Sequence, residues 1–318
     1  MKNIQIRPAE PGRDFGQLAE WYSILENNAL SEQYLTDYYE KRREQIIQRV
    51  TEDGEGELLG FYWAQRRSAE LTNVDLFVKS EKRRQNVGTR LYEDLERSAR
   101  EAQVKRLQVS FPDTNLDSRA FSEHCGFSEK WHLIQMRLNL ETFDDSPYDA
   151  VINRLKREGF IFSSMQELGN TEEAQRRLYT LNDKTDLDTP GHDGEHNWDS
   201  FEDFQKKVCQ TDWYKPGGQM IVIDSVSGDW AALSAITRYG DHAYNLHTGV
   251  DGRYRGRKLA QAVKVLALRY ARDVLKVNMV HTDHNTMNHP MIAIDRKFGY
   301  VEFPGSFVMK KNLEYQRL

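Results

Sequence analysis

Alternating and 3.6-spaced apolar positions outline two similar sets of elements along the chain. At residues 73–78, Asn73-Val74-Asp75-Leu76-Phe77-Val78 alternates as a half-buried strand does. A polar stretch follows, and then a run with Leu91, Leu95 and Ala99 on one helical face. Further on, Asn245-Leu246-His247-Thr248-Gly249-Val250 predicts a strand, and Leu259, Val263, Leu266 and Tyr270 predict a helix. Each set continues with a strand-like run, an Asn and a helix ending in Gly-aromatic. The first has Leu107–Phe111, Asn115 and Gly126-Phe127, and the second has 277–282, Asn288 and Gly299-Tyr300. Val78 and Val250 lie 172 residues apart, as do Arg83 and Arg255, while Asn115/Asn288 and Gly126/Gly299 lie 173 apart. Four matches in register indicate a duplicated domain.

The polar joint Glu141-Thr142-Phe143-Asp144-Asp145-Ser146-Pro147 divides the copies, giving domains 1–142 and 143–318. In the first half, strands are expected at 4–7, 58–66, 73–78, 105–111 and 133–138. In the second they are expected at 160–162, 220–224, 231–238, 244–250, 278–282 and 306–309. This is an α/β layer arrangement.

Composition narrows the classes. With 318 residues, 39% hydrophobic and 29% charged, the chain reads as globular. A formal net charge of −5 without a long basic run argues against a nucleic-acid binder. Cys125 and Cys209 are too few for a disulfide framework or a zinc site and read as free thiols. Residues 1–8 lack an apolar signal core, and no window approaches the roughly 18 apolar residues of a membrane span. The expected location is the cytoplasm, with no membrane partner, as a monomer or homodimer.

Between each strand and helix lies a turn suited to a diphosphate. A helix start offers unpartnered N–H groups and a partial positive charge. Small residues such as Gly88 and Ala260 let an anion approach, and Arg83, Arg84, Arg255 and Arg257 can pair with phosphate oxygens. The pattern Arg/Gln-x-x-Gly-x-Gly/Ala in this place resembles the acetyl-CoA turn of the GNAT superfamily. Each copy keeps the ends, Arg83 with Gly88 and Arg255 with Ala260, and replaces the middle glycine by Asn86 or Lys258. The second half also resembles the mycothiol-synthase-like branch through Thr248-Gly249-Val250, Arg255-Gly256, Leu259-Ala260, Thr282, Asn288, Met291 and Gly299-Tyr300. It departs from that branch at His284 and Asp295.

The resemblance implies two tandem GNAT domains, each a mixed, mostly antiparallel twisted sheet flanked by helices. It implies acetyl-CoA as cofactor and acetyl transfer to the amine of a small molecule. The residues it places at the cofactor are Phe77, Val78, Arg83, Arg84, Gln85, Asn86, Val87, Gly88, Thr89 and Asn115 in the first half. In the second they are Thr248, Gly249, Val250, Arg255, Gly256, Arg257, Lys258, Leu259, Ala260, His284, Asn288 and Met291. The thioester oxygen would take a backbone N–H near Val78 or Val250. The family's thiolate-protonating tyrosine is replaced by Ser122 and Asp295, which leaves Asp295, Tyr244, Tyr254 or water in that place.

His247 is the candidate base, against a core histidine as the plain alternative, and Asp75 is its counterpart in the first half. His281, His284 and His289 around Asp283 suggest a pocket wall, with His284 near the pantetheine arm, and no metal is expected. The acidic stretch Asp183, Asp186, Asp188, Asp193, Glu195, Asp199, Glu202 and Asp203 either attracts a cationic amine, through Asp186 and Asp188, or is a solvated loop with Asp199 or Ser200 capping a helix. No Gly-x-Ser-x-Gly elbow and no P-loop occur. Two function classes remain: an N-acetyltransferase with the C-terminal half active, or a non-catalytic acetyl-CoA sensor or scaffold.

Overall fold

The computed structural model describes residues 4–26, 29–68, 70–192, 194 and 196–313. The chain forms two compact units, Met1–His132 with Ser306–Leu318, and Leu133–Gly305.

The first unit holds β1 (Gln5–Pro8), α1 (Phe15–Glu26), α2 (Glu32–Glu40), β2 (Ile46–Glu52), β3 (Leu58–Arg66), β4 (Leu71–Val78), α3 (Val87–Glu101), β5 (Arg106–Pro112) and α4 (Leu116–His124). Its sheet is closed by residues 306–312 of β12 (Val301–Asn312), in the order β1-β2-β3-β4-β5-β12. Neighbours are antiparallel except β4 and β5, which run parallel. Alternation along β3 sends Phe61 and Trp63 into a core with α1 and α2, and Tyr62 and Ala64 into a core with α3. The strand β2 was not expected from the sequence. Its Gln48 is buried and exchanges two hydrogen bonds with the Ala9 backbone, so a polar residue fills an inward position.

The second unit repeats this plan. It holds residues 133–139 of β6 (Ser128–Asn139), then α5 (Pro147–Arg157), β7 (Phe160–Ser164), α6 (Glu172–Leu187), α7 (Phe201–Phe204), β8 (Gln219–Asp224), β9 (Trp230–Tyr239), β10 (His242–Val250), α8 (Leu259–Asp273), β11 (Met279–Asn285) and α9 (His289–Phe298). The order is β6-β11-β10-β9-β8-β7, with β10 and β11 parallel and the other neighbours antiparallel. One face packs on α5, α8 and α9, and the other on α6 and α7. The expected α/β class and mixed, mostly antiparallel sheets are what the structure has. A cut at 142/143 follows chain order. The compact units instead trade closing strands: β12 completes the first sheet and β6 the second. Among the described residues no helix is long and apolar enough to cross a membrane.

Candidate functional site

Each unit has one pair of parallel strands, and in each the pair splays. β4 and β5 are paired from Leu71/Arg106 to Asn73/Gln108 only. β10 and β11 are paired at Ala243/Val280 and Tyr244/His281, after which side-chain bonds, Thr282 hydroxyl to the Asn245 carbonyl (3.0 Å) and Tyr244 hydroxyl to Asp283, bridge them. Beyond that point, among the described residues, the facing backbone edges of both strands have no ladder partner. In the second unit a bulge between Asn245 and His247 turns β10 further. The first unit keeps regular β3–β4 pairing over the matching stretch.

The turns after β4 and β10 match residue for residue. Arg83 and Arg255 have ψ of 161° and 162°, and each Nε bonds the last strand carbonyl, Val78 O at 3.2 Å and Val250 O at 3.3 Å. The next residue is left-handed in both, Arg84 at φ 57° and Gly256 at φ 80°. Asn86 (φ 63°) and Lys258 (φ 69°) then take the left-handed conformation directly before α3 and α8. Asn86 and Lys258, at the place of the middle glycine, thus hold the same left-handed backbone in both copies. Neither helix carries a side-chain cap, so the turns present first-turn N–H groups in the concave arrangement that holds anions. Residues 83–86 and 255–258 are exposed.

Other expected cofactor residues have local roles. Asn115 and Asn288 are matching N-caps, accepting from Ser118 N (3.1 Å) and Met291 N (3.4 Å). Phe77, Val78, Val87 and Leu259 are buried in the cores. Gly88 lies against the Phe121 ring, and an added Cβ would come within 3.3 Å of it. Thr248 bonds Ser234, and Gln85 bonds the Glu81 carbonyl. Arg84 pairs with exposed Asp117, and the Arg257 guanidinium lies 5.1 Å from the centre of the Phe160 ring. Thr89, Ala260 and Met291 are half-buried, as is Val250.

His247 stands past the bulge on the α6 side. Its Nε2 is 2.9 Å from the Thr185 hydroxyl, which itself donates to the Leu181 carbonyl at 2.9 Å. In the tautomer that keeps the hydroxyl bond to Leu181, Nε2 carries the imidazole proton and the basic lone pair is on Nδ1. Burial holds His247 below the ordinary imidazole range, opposed by the charge of Asp186. Gly249 is pressed against the same pair, with room for no side chain. In the first unit Asp75 instead accepts from the Tyr22 hydroxyl at 3.1 Å.

Asp295 is fully buried, away from an open pocket. Its carboxylate lies 2.5 Å from Lys264 Nζ, also fully buried, and 2.7 Å from His284 Nε2. Burial works to raise the Asp295 carboxyl, but the Lys264 charge and the His284 bond outweigh it and hold it below the ordinary range. Lys264 escaped the sequence reading, although a lone lysine inside Ala262-Val263-Lys264-Val265-Leu266-Ala267 was its signal. The three histidines of the expected wall go separate ways: His281 stacks on His242 (3.9 Å), His284 bonds Asp295, and His289 opens α9. Asp283 accepts a short bond from the Tyr244 hydroxyl, and Tyr254 bonds Ser227 and Asp229.

The acidic stretch is largely paired within itself. Asp183 meets His196, Asp186 meets His192 (3.1 Å) and Asn197 (2.6 Å), and Asp203 meets Lys207. Asp188 reaches Arg255 at 2.9 Å, in the turn itself. Ser200 caps α7, accepting from Asp203 N. Asp193 and Glu195 lie outside the described residues.

Residues 15–127 match the sequence model of the Acetyltransferase (GNAT) family. A tandem GNAT protein from the clavulanic acid biosynthesis pathway is similar over 99% of this chain and 100% of its own, with a TM-score of 0.63 and 16% identity. The family match covers the first repeat. Over both repeats the chain has the fold of a tandem GNAT protein. A GCN5-related N-acetyltransferase from Sphaerobacter thermophilus is likewise similar over 97% of this chain and 95% of its own (TM-score 0.69, 14% identity). The GCN5-related glucosamine N-acetyltransferase region of a fungal multi-domain β-N-acetylglucosaminidase covers 98% of this chain and 38% of that one (TM-score 0.71, 13% identity). No curated protein matches by sequence. The family's general reaction is acetyl-CoA-dependent N-acetyl transfer. The structural likenesses bear on the fold, not on the branch that the second half resembles.

Proposed function

We propose that this chain is an acetyl-CoA-dependent N-acetyltransferase for a small-molecule amine, with its active site in the second unit. Both turns suit the diphosphate of coenzyme A, because each wraps a left-handed backbone around an uncapped helix start. One observation favours the second unit. Only there do the arms of the splayed strands carry histidines, His247 on β10 and His284 on β11. Acetyl-CoA, when bound, supplies an acetyl group activated as a thioester. His247, neutral through burial and oriented by Thr185, takes the proton of the incoming ammonium on Nδ1. Arg255, held by Val250 O and Asp188, stays beside the turn for phosphate oxygens.

The absence of a tyrosine at Ser122 and Asp295 favours the second reading, an acetyl-CoA-binding sensor. Release of the CoA thiol with a panel of small amines tests the two. Turnover that is lost in Arg255→Glu and kept in Arg83→Glu supports one active site in the second unit. Binding without turnover for every amine leaves the sensor.

A further inference from the structure

The second unit holds a charged cluster that its fold does not require. Lys264 on α8 and Asp295 on α9 are both fully buried, 2.5 Å apart, and the ring of buried Tyr300 lies 5.1 Å from Lys264 Nζ. Burying two opposite charges costs about as much as their attraction returns, and an apolar pair of the same volume is often at least as stable. The first repeat folds without this ion pair: the matching positions are Tyr92, Ser122 and Phe127, and the counterpart of His284 is Phe111. The pair does, however, leave one outlet. Asp295 Oδ2 accepts from His284 Nε2 at 2.7 Å, and the His284 side chain keeps 9% of its surface exposed. Among the described residues, the other ring nitrogen of His284 has no hydrogen-bond partner.

His284 sits on β11 beyond the point where that strand parts from β10. A strand advances ~3.3 Å per residue, so His247 to Asn245 lie ~10–17 Å back along β10 from Val250, a stretch along which the pantetheine arm of a CoA held at the turn would run. The Thr282–Asn245 bond sets the matching level on β11, which puts Asp283 and His284 opposite. Resting on the function proposed above, we infer that His284 is the catalytic acid that protonates the departing CoA sulfur. Asp295 and Lys264 are its positioning residues.

In this step the new C–N bond forms and the C–S bond breaks, leaving its electron pair on sulfur. The sulfur takes the proton from His284 Nδ1. An ammonium loses two protons in becoming an amide: His247 takes the first before attack and passes it to solvent, then takes the second as the C–N bond forms, and solvent afterwards deprotonates His247 and reprotonates His284 Nδ1. Asp295 accepts from Nε2 throughout, and Lys264 keeps that carboxylate ionised. The charged and titratable groups around His284 are Asp295 on α9, Lys264 on α8 and Asp283 on its own strand, while Ile134 lies opposite on β6.

The experiment is a titration of the bound thiol, read by thiolate ultraviolet absorbance, on full-length chain saturated with CoA. An Arg83→Glu background confines loading to the second turn. With His284 at the sulfur, the thiol ionises about one pH unit lower than in His284→Gln, a tenfold difference in acidity. Asp295→Asn moves the midpoint in the same direction as His284→Gln, with CoA affinity changed less than about threefold. A purely structural carboxylate would leave the midpoint in place. If Asp295→Asn fails to fold because it strands the lysine charge, Lys264→Met with Asp295→Asn replaces it. CoA that binds but titrates identically with and without His284 overturns the inference and leaves the proposed function standing. Failure of CoA to bind at the second turn overturns both.

Discussion

Lys258→Gly tests whether the turn before α8 stores strain. Lys258 is held at φ 69°, ψ 20°, where a side chain with a Cβ crowds its own backbone. That conformation costs an ordinary L-residue ~1–2 kcal/mol, while glycine gives back ~0.5–1 kcal/mol through its freer unfolded chain. The net expectation is a gain of ~0.5–1 kcal/mol. For a unit of 150–250 residues this raises the melting temperature by ~1–4 °C. Asn86→Gly, at nearly the same φ of 63°, should gain less because asparagine tolerates the left-handed region. Calorimetry of the two variants, with and without acetyl-CoA, makes the comparison. The lysine substitution should also weaken acetyl-CoA binding up to ~10-fold, since it removes one cation from the anion site. A lower melting temperature in Lys258→Gly, or a larger gain in Asn86→Gly, would refute the strain argument. Unchanged affinity would refute the phosphate contact.

Three further outcomes follow from local geometry. Gly249→Ala puts a Cβ 2.3 Å from Thr185 Oγ1 and 2.5 Å from its Cβ, so denaturant titration should show a loss of ~1–3 kcal/mol; a loss under ~0.5 kcal/mol would mean that α6 yields freely. Asn288→Ala should cost ~1 kcal/mol as a lost N-cap, and an acetyl-CoA affinity unchanged within about twofold would assign the residue to the helix and not to the ligand. His281 is held down to about 4 by burial and by the charges of His242 and Arg137, so the unfolded chain binds its proton first. Stability should fall as pH drops from ~6.5 towards 4 and be fully present above that window, and His281→Gln should flatten the slope of melting temperature against pH.

Much of the fold was legible because both repeats write it twice. The strand-turn-helix order and the left-handed positions survive as shared backbone geometry even where the glycine does not. Two things were hidden for the same physical reason: sequence shows what a residue needs, not which partner supplies it. β6 and β12 are equivalent strands of the two copies, and either meets the pairing needs of β5 or β11. The pattern predicts both strands and is silent on their exchange. Asp295 read as a stand-in for the family's tyrosine because its counterpart, Lys264, lies 31 positions away inside an apolar helix face. The acidic stretch read either as a field for a cationic amine or as a solvated loop, and its pairing was hidden because His192, Asn197, Lys207 and Arg255 carry no pattern that marks them as its partners. A buried lysine on an apolar face should therefore be read as a demand for a carboxylate. In this chain that demand leads from α8 through Asp295 to His284, the side chain nearest to open space in the cluster.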